Sequence, residues 1–305
     1  MSEIKNVAAS VRQRLFNRAK ETDRPFDELL QYYAMERFLY RLSLSEHRDK
    51  FILKGALMFV VWEGPRSRAT RDIDLSGRTK NSVENLIAIV KEVCRIETEP
   101  DGMEFRAESV EGTRIKEDAE YAGVRVSFLG LLEKARAPMQ IDVGFGDAIT
   151  PEPTVIDYPV ILDMPAPKLK GYPRETVVAE KFHAMVFLGM VNTRMKDFHD
   201  VWLLAHQFDF DGAVLAEALT ATFAHRKTEL TLEPVVFTEA FWADAQKNTQ
   251  WRAFLDKGKI AGMPRELQAV ISAIRDLLLP VIESYLSAKP LRMKWRAPGP
   301  WTRNI

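Results

Sequence analysis

Cysteine is nearly missing: Cys94 is the only one in 305 residues. One thiol cannot form an internal disulfide, so no covalent framework holds this chain. A zinc centre would have to rely on histidines and carboxylates, and no closely spaced set of these stands out. Cys94 lies inside an apolar helical pattern, which suits a buried structural thiol better than a nucleophile. Long apolar runs are lacking too. Leu277-Leu278-Leu279 and Val60-Val61-Trp62 are far too short to span a bilayer, and Met1-Ser2-Glu3-Ile4-Lys5 has no apolar signal core. A cytoplasmic protein with no membrane partner is therefore expected. Nor is there an excess of charge. Forty-three basic and 43 acidic residues cancel, so bulk charge does not announce a nucleic-acid binder, and local patches must do so.

What is present is a globular chain. A hydrophobic fraction of 46% and a charged fraction of 28% allow a substantial core without staples. Helical rhythm runs loosely over residues 8–22 and strongly from Phe26 to about Leu44, through Leu29, Leu30, Tyr33, Phe38, Leu39 and Leu42. Phe51-Ile52-Leu53-Lys54-Gly55 reads as a strand or tight turn, followed by a compact helix from Ala56 to Glu63 that Gly64-Pro65 stops. Asn81, with Glu84 three residues on, is expected to cap a helix whose apolar stripe is Val83, Leu86, Ile87, Val90 and Val93. Residues 104–143 alternate as strands do. Beyond Pro165-Ala166-Pro167 everything reads as helix, at about 174–190, 194–207, 211–224, 234–246 and 264–287. The expected fold class is α+β. Residues 1–165 form a domain with N-terminal helices and a mixed twisted sheet flanked by helices. Residues 166–305 form a C-terminal helical bundle ending in a basic tail.

The chemistry concentrates in acidic residues on strand-like segments. In Asp72-Ile73-Asp74-Leu75 the two carboxylates point to one face and the apolar pair to the other. Crowded anions repel unless a cation sits between them. Magnesium binds carboxylate oxygens together with substrate phosphates, so the pair can form a metal ledge. Asp142, in the apolar setting Gln140-Ile141-Asp142-Val143, joins them if its strand lies alongside. Three carboxylates can hold two ions about 3.5–4 Å apart for in-line phosphoryl transfer. A solvated strand face is the plainer alternative for Asp-x-Asp alone. Gly55-Ala56, opening a helix after Lys54, could present backbone donors to a phosphate, or be an ordinary turn. Arg194, Lys196, Asp197 and Asp200 have the i,i+3 and i,i+4 spacings of helix-face ion pairs. His183 and His199 are expected to be packed rather than to act as ligands.

Taken together, Gly55-Ala56, Asp72-Ile73-Asp74 and Asp142 resemble the pattern of the DNA-polymerase-β-like nucleotidyltransferase superfamily. A closer resemblance is to the abortive-infection nucleotidyltransferase toxins of the AbiEii/AbiGii type. It rests on Phe51-Ile52-Leu53-Lys54-Gly55-Ala56, on Arg68-Ala69-Thr70-Arg71-Asp72-Ile73-Asp74-Leu75 and on Gln140-Ile141-Asp142-Val143. It rests also on Glu180-Lys181 and on Arg194-Met195-Lys196-Asp197-Phe198-His199-Asp200. The resemblance covers about residues 50–205. It implies a minimal polymerase-β-like fold and a toxin that moves a nucleotide from an NTP to RNA, such as a tRNA 3′ end, with release of pyrophosphate. It also implies an encoded antitoxin, typically a DNA-binding regulator. The expected site has Asp72, Asp74 and Asp142 on Mg²⁺ or Mn²⁺, with Lys181 and Asp197 in the chemistry. Lys54, Gly55, Ala56, Arg68, Thr70 and Lys181 would bind the nucleotide, and Arg194, Lys196 and Asp200 would support. One departure is Ala56, where the family often has serine or glycine and where no hydroxyl can reach a phosphate. Transfer to a protein hydroxyl, and a nucleotide-binding interaction protein without turnover, are the rival readings. The tail, with Lys289, Arg292, Lys294, Trp295, Arg296, Trp301 and Arg303 and no acid, could be disordered, a protein interface or a single-strand binder.

Overall fold

Seven alternating segments hydrogen-bond into one mixed sheet: β1 (Phe51–Lys54), β2 (Asp72–Gly77), β3 (Met103–Asp118), β4 (Tyr121–Leu132), β5 (Ala135–Phe145), β6 (Thr154–Asp157) and β7 (Lys168–Gly171). Their spatial order is β3-β4-β5-β2-β1-β7-β6. β2 runs parallel to β5 and β1 parallel to β7, and the other neighbours are antiparallel. The computed structural model describes residues 6–62, 70–118 and 121–303. They divide into two units. The first runs to Asp147 and takes in Thr154–Gly171; the second comprises Ala148–Pro153 and the chain from Tyr172 onward.

Period-two alternation sorts the sheet's side chains. Ile73, Leu75, Ile141, Val143, Val124, Val126 and Phe128 are buried. Helix α1 (Val7–Thr22) packs on α2 (Phe26–Leu44); α2 packs on β5, and α4 (Val83–Cys94) on β3. Between α1's partner α2 and the sheet, Phe38 meets the rings of Phe105 and Phe128 at centroid distances of 5.7 and 5.0 Å. Each such fully buried aromatic contributes roughly 1.5–3 kcal/mol.

α2 is buried on all sides, including three charged residues that therefore need partners. Arg41 grips Asp101 in a fork at 2.6 and 3.1 Å. Arg37 donates to the Pro165 carbonyl at 2.8 Å and pairs with Glu36, while Glu36 accepts the Ile161 amide at 2.7 Å. Burial pushes the Glu36 carboxyl up to about 7 despite the adjacent guanidinium.

Two local expectations are corrected in this unit. Asn81 is not the cap of α4. The helix starts one residue later, and the Ser82 hydroxyl, on an extended backbone, accepts the Asn85 amide at 3.2 Å. Asn81 instead receives the Arg114 guanidinium. The helix after Gly55 is a single short turn, α3 (Leu57–Val61), and Glu63 lies outside the described residues.

The second unit holds α5 (Arg174–Leu188), α6 (Met195–Gln207), α7 (Gly212–His225), α8 (Glu239–Trp242), α9 (Ala245–Gly258) and α10 (Leu267–Ser287). The single helix expected over 234–246 is broken. The Asp244 side chain accepts the Lys247 amide and starts α9, whose sparse buried face includes Trp251 and Leu255 and gives little periodic signal. Not everything past Pro167 is helix. β7 completes the first sheet, and β8 (Phe210–Asp211), β9 (Met293–Trp295) and β10 (Trp301–Arg303) form a small antiparallel sheet. The basic tail is thus folded rather than disordered. Trp295 is buried with its Nε1 donating to the Ala205 carbonyl at 2.7 Å, and Trp301 Nε1 reaches the carbonyls at the middle of α10. Arg296 pairs with Asp209. No described helix is long and apolar enough to cross a membrane.

Candidate active site

The parallel register of β2 and β5 sets Asp74 directly opposite Asp142, and Asp72 opposite Gln140. Because side chains alternate, the three carboxylates share one face, the reverse of the one that buries Ile73 and Ile141. Each offers an oxygen within 4.8 Å of the others. Asp142 is buried, and Asp72 and Asp74 are half-buried.

Neighbouring strands brace this cluster. On β1, Lys54 is the cross-strand partner of Asp74, and Gly55 follows in a left-handed conformation at φ +72°. A Cβ at Gly55 would stand 1.9 Å from Asp74 Oδ2, so the glycine lets the strand end lie against the carboxylate. Thr70 donates its hydroxyl to Asp72 Oδ1 at 2.5 Å, and its amide donates to the Tyr32 hydroxyl from α2. The Arg71 amide also reaches Asp72 Oδ1. Ala56 is buried at the start of α3, and Arg68 lies outside the described residues.

Two partners escaped the sequence reading. Arg125 on β4, in register with Asp142, forks onto both its oxygens at 2.8 and 2.7 Å. The hydrogen bond to Asp142, and the nearby Asp72 and Asp74 charges, raise the guanidinium's pKa further. Asp147, just past β5, holds the Lys54 ammonium at 3.1 Å with both side chains nearly enclosed. Val124-Arg125-Val126 signals a strand with an outward arginine, but only the β4/β5 register says which acid it meets.

Against known proteins, the profile described as nucleotidyl transferase AbiEii toxin, type IV TA system, matches residues 37–273. The chain belongs to the AbiEii nucleotidyltransferase toxin family. No curated protein sequence matches it. Two solved Helicobacter pylori structures are similar at 18% identity. One is JHP933, covering 86% of this chain and 97% of that one with a TM-score of 0.44. The other is a candidate nucleotidyltransferase, at 84% and 96% with a TM-score of 0.47. Membership makes this AbiEii-family chain a toxin of the nucleotidyltransferase class, with a nucleotide substrate and a cognate antitoxin.

The carboxylate cluster fits a hard divalent cation: its donors are all oxygens and they converge from two adjacent strands. The AbiEii-family match also spans a second charged centre, within the second unit. The Lys181 ammonium on α5 lies 2.9 Å from Asp197 Oδ1 and 2.7 Å from Asp200 Oδ2, both on α6. Arg194 pairs with the other oxygen of Asp197 at 2.7 Å, as the i,i+3 spacing suggests. His199 Nδ1 meets Asp200 Oδ1 at 2.8 Å, a contact the sequence reading left aside, while His183 pairs with Thr228. Asp197 and Asp200 are 0 and 2% exposed, so each depends on these cations. Lys196 is exposed on the same helix.

Proposed function

We propose that this toxin transfers a nucleotide from an NTP to an RNA acceptor such as a tRNA 3′ end, releasing pyrophosphate, and that the reaction requires Mg²⁺ or Mn²⁺. The observation that carries this reading is the meeting of Asp72, Asp74 and Asp142 on one face of β2 and β5. Those three would hold the ion. A divalent cation there supplies positive charge against the phosphate oxygens on which charge gathers during displacement. The acceptor hydroxyl passes its proton to solvent as its oxygen bonds to the α-phosphorus, and the bond from that phosphorus to the α,β-bridging oxygen breaks, so that oxygen leaves with pyrophosphate. Thr70 keeps Asp72 oriented, and Gly55 keeps room for Asp74. Lys54, Ala56 and Arg68 are assigned to the nucleotide, as are Gly55 and Thr70. Lys181 and Asp197 are assigned to the transfer chemistry, with Arg194, Lys196 and Asp200 supporting. The antitoxin is taken to be a DNA-binding regulator.

RNA is favoured as acceptor by α1. Its exposed side carries Arg12, Arg14, Arg18 and Lys20 with Phe16, and within the helix the one acid is Glu21, which pairs with Arg18. Basic residues interleaved with an exposed ring suit a polynucleotide backbone and its bases. The test is incubation with tRNA and each labelled NTP in turn. Label should pass to RNA with wild type and should vanish with Asp74→Ala and on chelation of divalent ions. Equal labelling by Asp74→Ala would overturn the catalytic assignment; label found only in protein would replace RNA with a protein hydroxyl.

A further inference from the structure

In the arrangement just described both Asp142 oxygens accept a guanidinium fork, whose positive charge competes with a cation for the same carboxylate. The two sides of this pair differ. The Asp142 side chain is 10% exposed and fixed within β5, whereas that of Arg125 is 40% exposed on a long flexible stem. Of the two, Arg125 is the one able to leave. A forked, permanently charged arginine binds phosphate in the same bidentate manner as carboxylate. Asp72 and Asp74 lie close enough for their charge to act on the guanidinium, so it offsets part of the cluster's negative charge.

We propose that Arg125 is a positioning residue that holds Asp142 in place of the cation and yields it when metal and nucleotide arrive together, turning its fork to the triphosphate. This rests on the metal-dependent reading above and extends it. Metal alone must displace a bound guanidinium, so it binds weakly. Nucleotide gives that guanidinium a new partner, so it strengthens metal binding. Metal and nucleotide are thereby coupled through one side chain, and by linkage each tightens the other equally.

The experiment is titration of Mn²⁺ onto the full-length, metal-stripped protein, followed by the paramagnetic signal of free Mn²⁺. It is run with and without a non-hydrolysable nucleoside triphosphate. Arg125→Met removes the charge and keeps the bulk; Arg125→Lys keeps the charge and loses the fork. Without nucleotide, Arg125→Met should bind Mn²⁺ roughly tenfold more tightly than wild type, the size of a typical coupling. With nucleotide, the tightening seen in wild type should shrink by a similar factor, and Arg125→Lys should lie between. A merely structural salt bridge predicts the reverse, since loosening Asp142 would weaken Mn²⁺ binding. Unchanged or weaker Mn²⁺ binding by Arg125→Met, in protein that unfolds at the wild-type temperature, would overturn the proposal and leave the metal site standing. If Arg125→Met does not fold, Arg125→Lys decides by the same comparison. Absence of Mn²⁺ binding by wild type and variants alike would overturn both the proposal and the metal-dependent reading.

Discussion

Gly55 is a residue with one tolerable side chain, namely none. Its backbone is left-handed and the Asp74 carboxylate fills the space where a Cβ would go. Gly55→Ala should therefore push Asp74 out of line and strain the turn, losing about 1–3 kcal/mol of stability, by denaturant unfolding, together with Mn²⁺ affinity. The glycine was visible in the sequence, but as a place for phosphate; its contact with Asp74 follows from the β1/β2 pairing. That Asp72 and Asp74 share one face was readable from alternation, whereas their reading as metal ligands leaned on Gly55, Asp142 and the family resemblance. The approach of Asp142 was conditional on two strands lying side by side, and they do. Arg125 and Asp147 were unreadable, since an arginine between valines and an aspartate after glycine have no partner until register supplies one.

At the scale of elements, α2 shows where helical periodicity informs and where it stops. Its apolar rhythm marked it correctly, yet its polar positions are buried as well and are matched by Asp101, Ile161 and Pro165 from distant segments. Glu36 makes this measurable. Its folded pKa, about 7, lies above the ordinary 4.5, so between those values the folded protein retains a proton that the unfolded chain has released. Stability consequently falls as pH rises through that window, by an amount on the order of 3 kcal/mol. Denaturant unfolding at several pH values should show this slope in wild type and lose it in Glu36→Gln. Elements with a weak apolar stripe, such as α9, or with only two or three residues, such as β8, β9 and β10, passed unnoticed. Pairing with one another, rather than any local preference, makes those strands.

For the molecule as a whole, zero net charge means that any attraction to RNA has to be local. The tail, first suspected of that role, has its tryptophans engaged inside its own unit. α1 remains exposed and basic. Replacing Arg12, Arg14 and Lys20 by alanine should weaken tRNA binding and reduce the slope of log affinity against log salt by about 2–3, as three lost phosphate contacts would. Binding isotherms over a salt series check this, and an unchanged slope would remove α1 from the acceptor surface. The β2/β5 register also has a temporal side. A ribosome completes Asp72 and Asp74 early, then has to make all of β3 and β4 before the strand bearing Asp142 exists. A product that stops before residue 142 therefore lacks the third acid altogether. A full-length chain whose fifth strand slips by one position turns that acid into the hydrophobic interior. The three carboxylates meet only when synthesis has gone well past the midpoint of the sheet and β2 and β5 have paired in register.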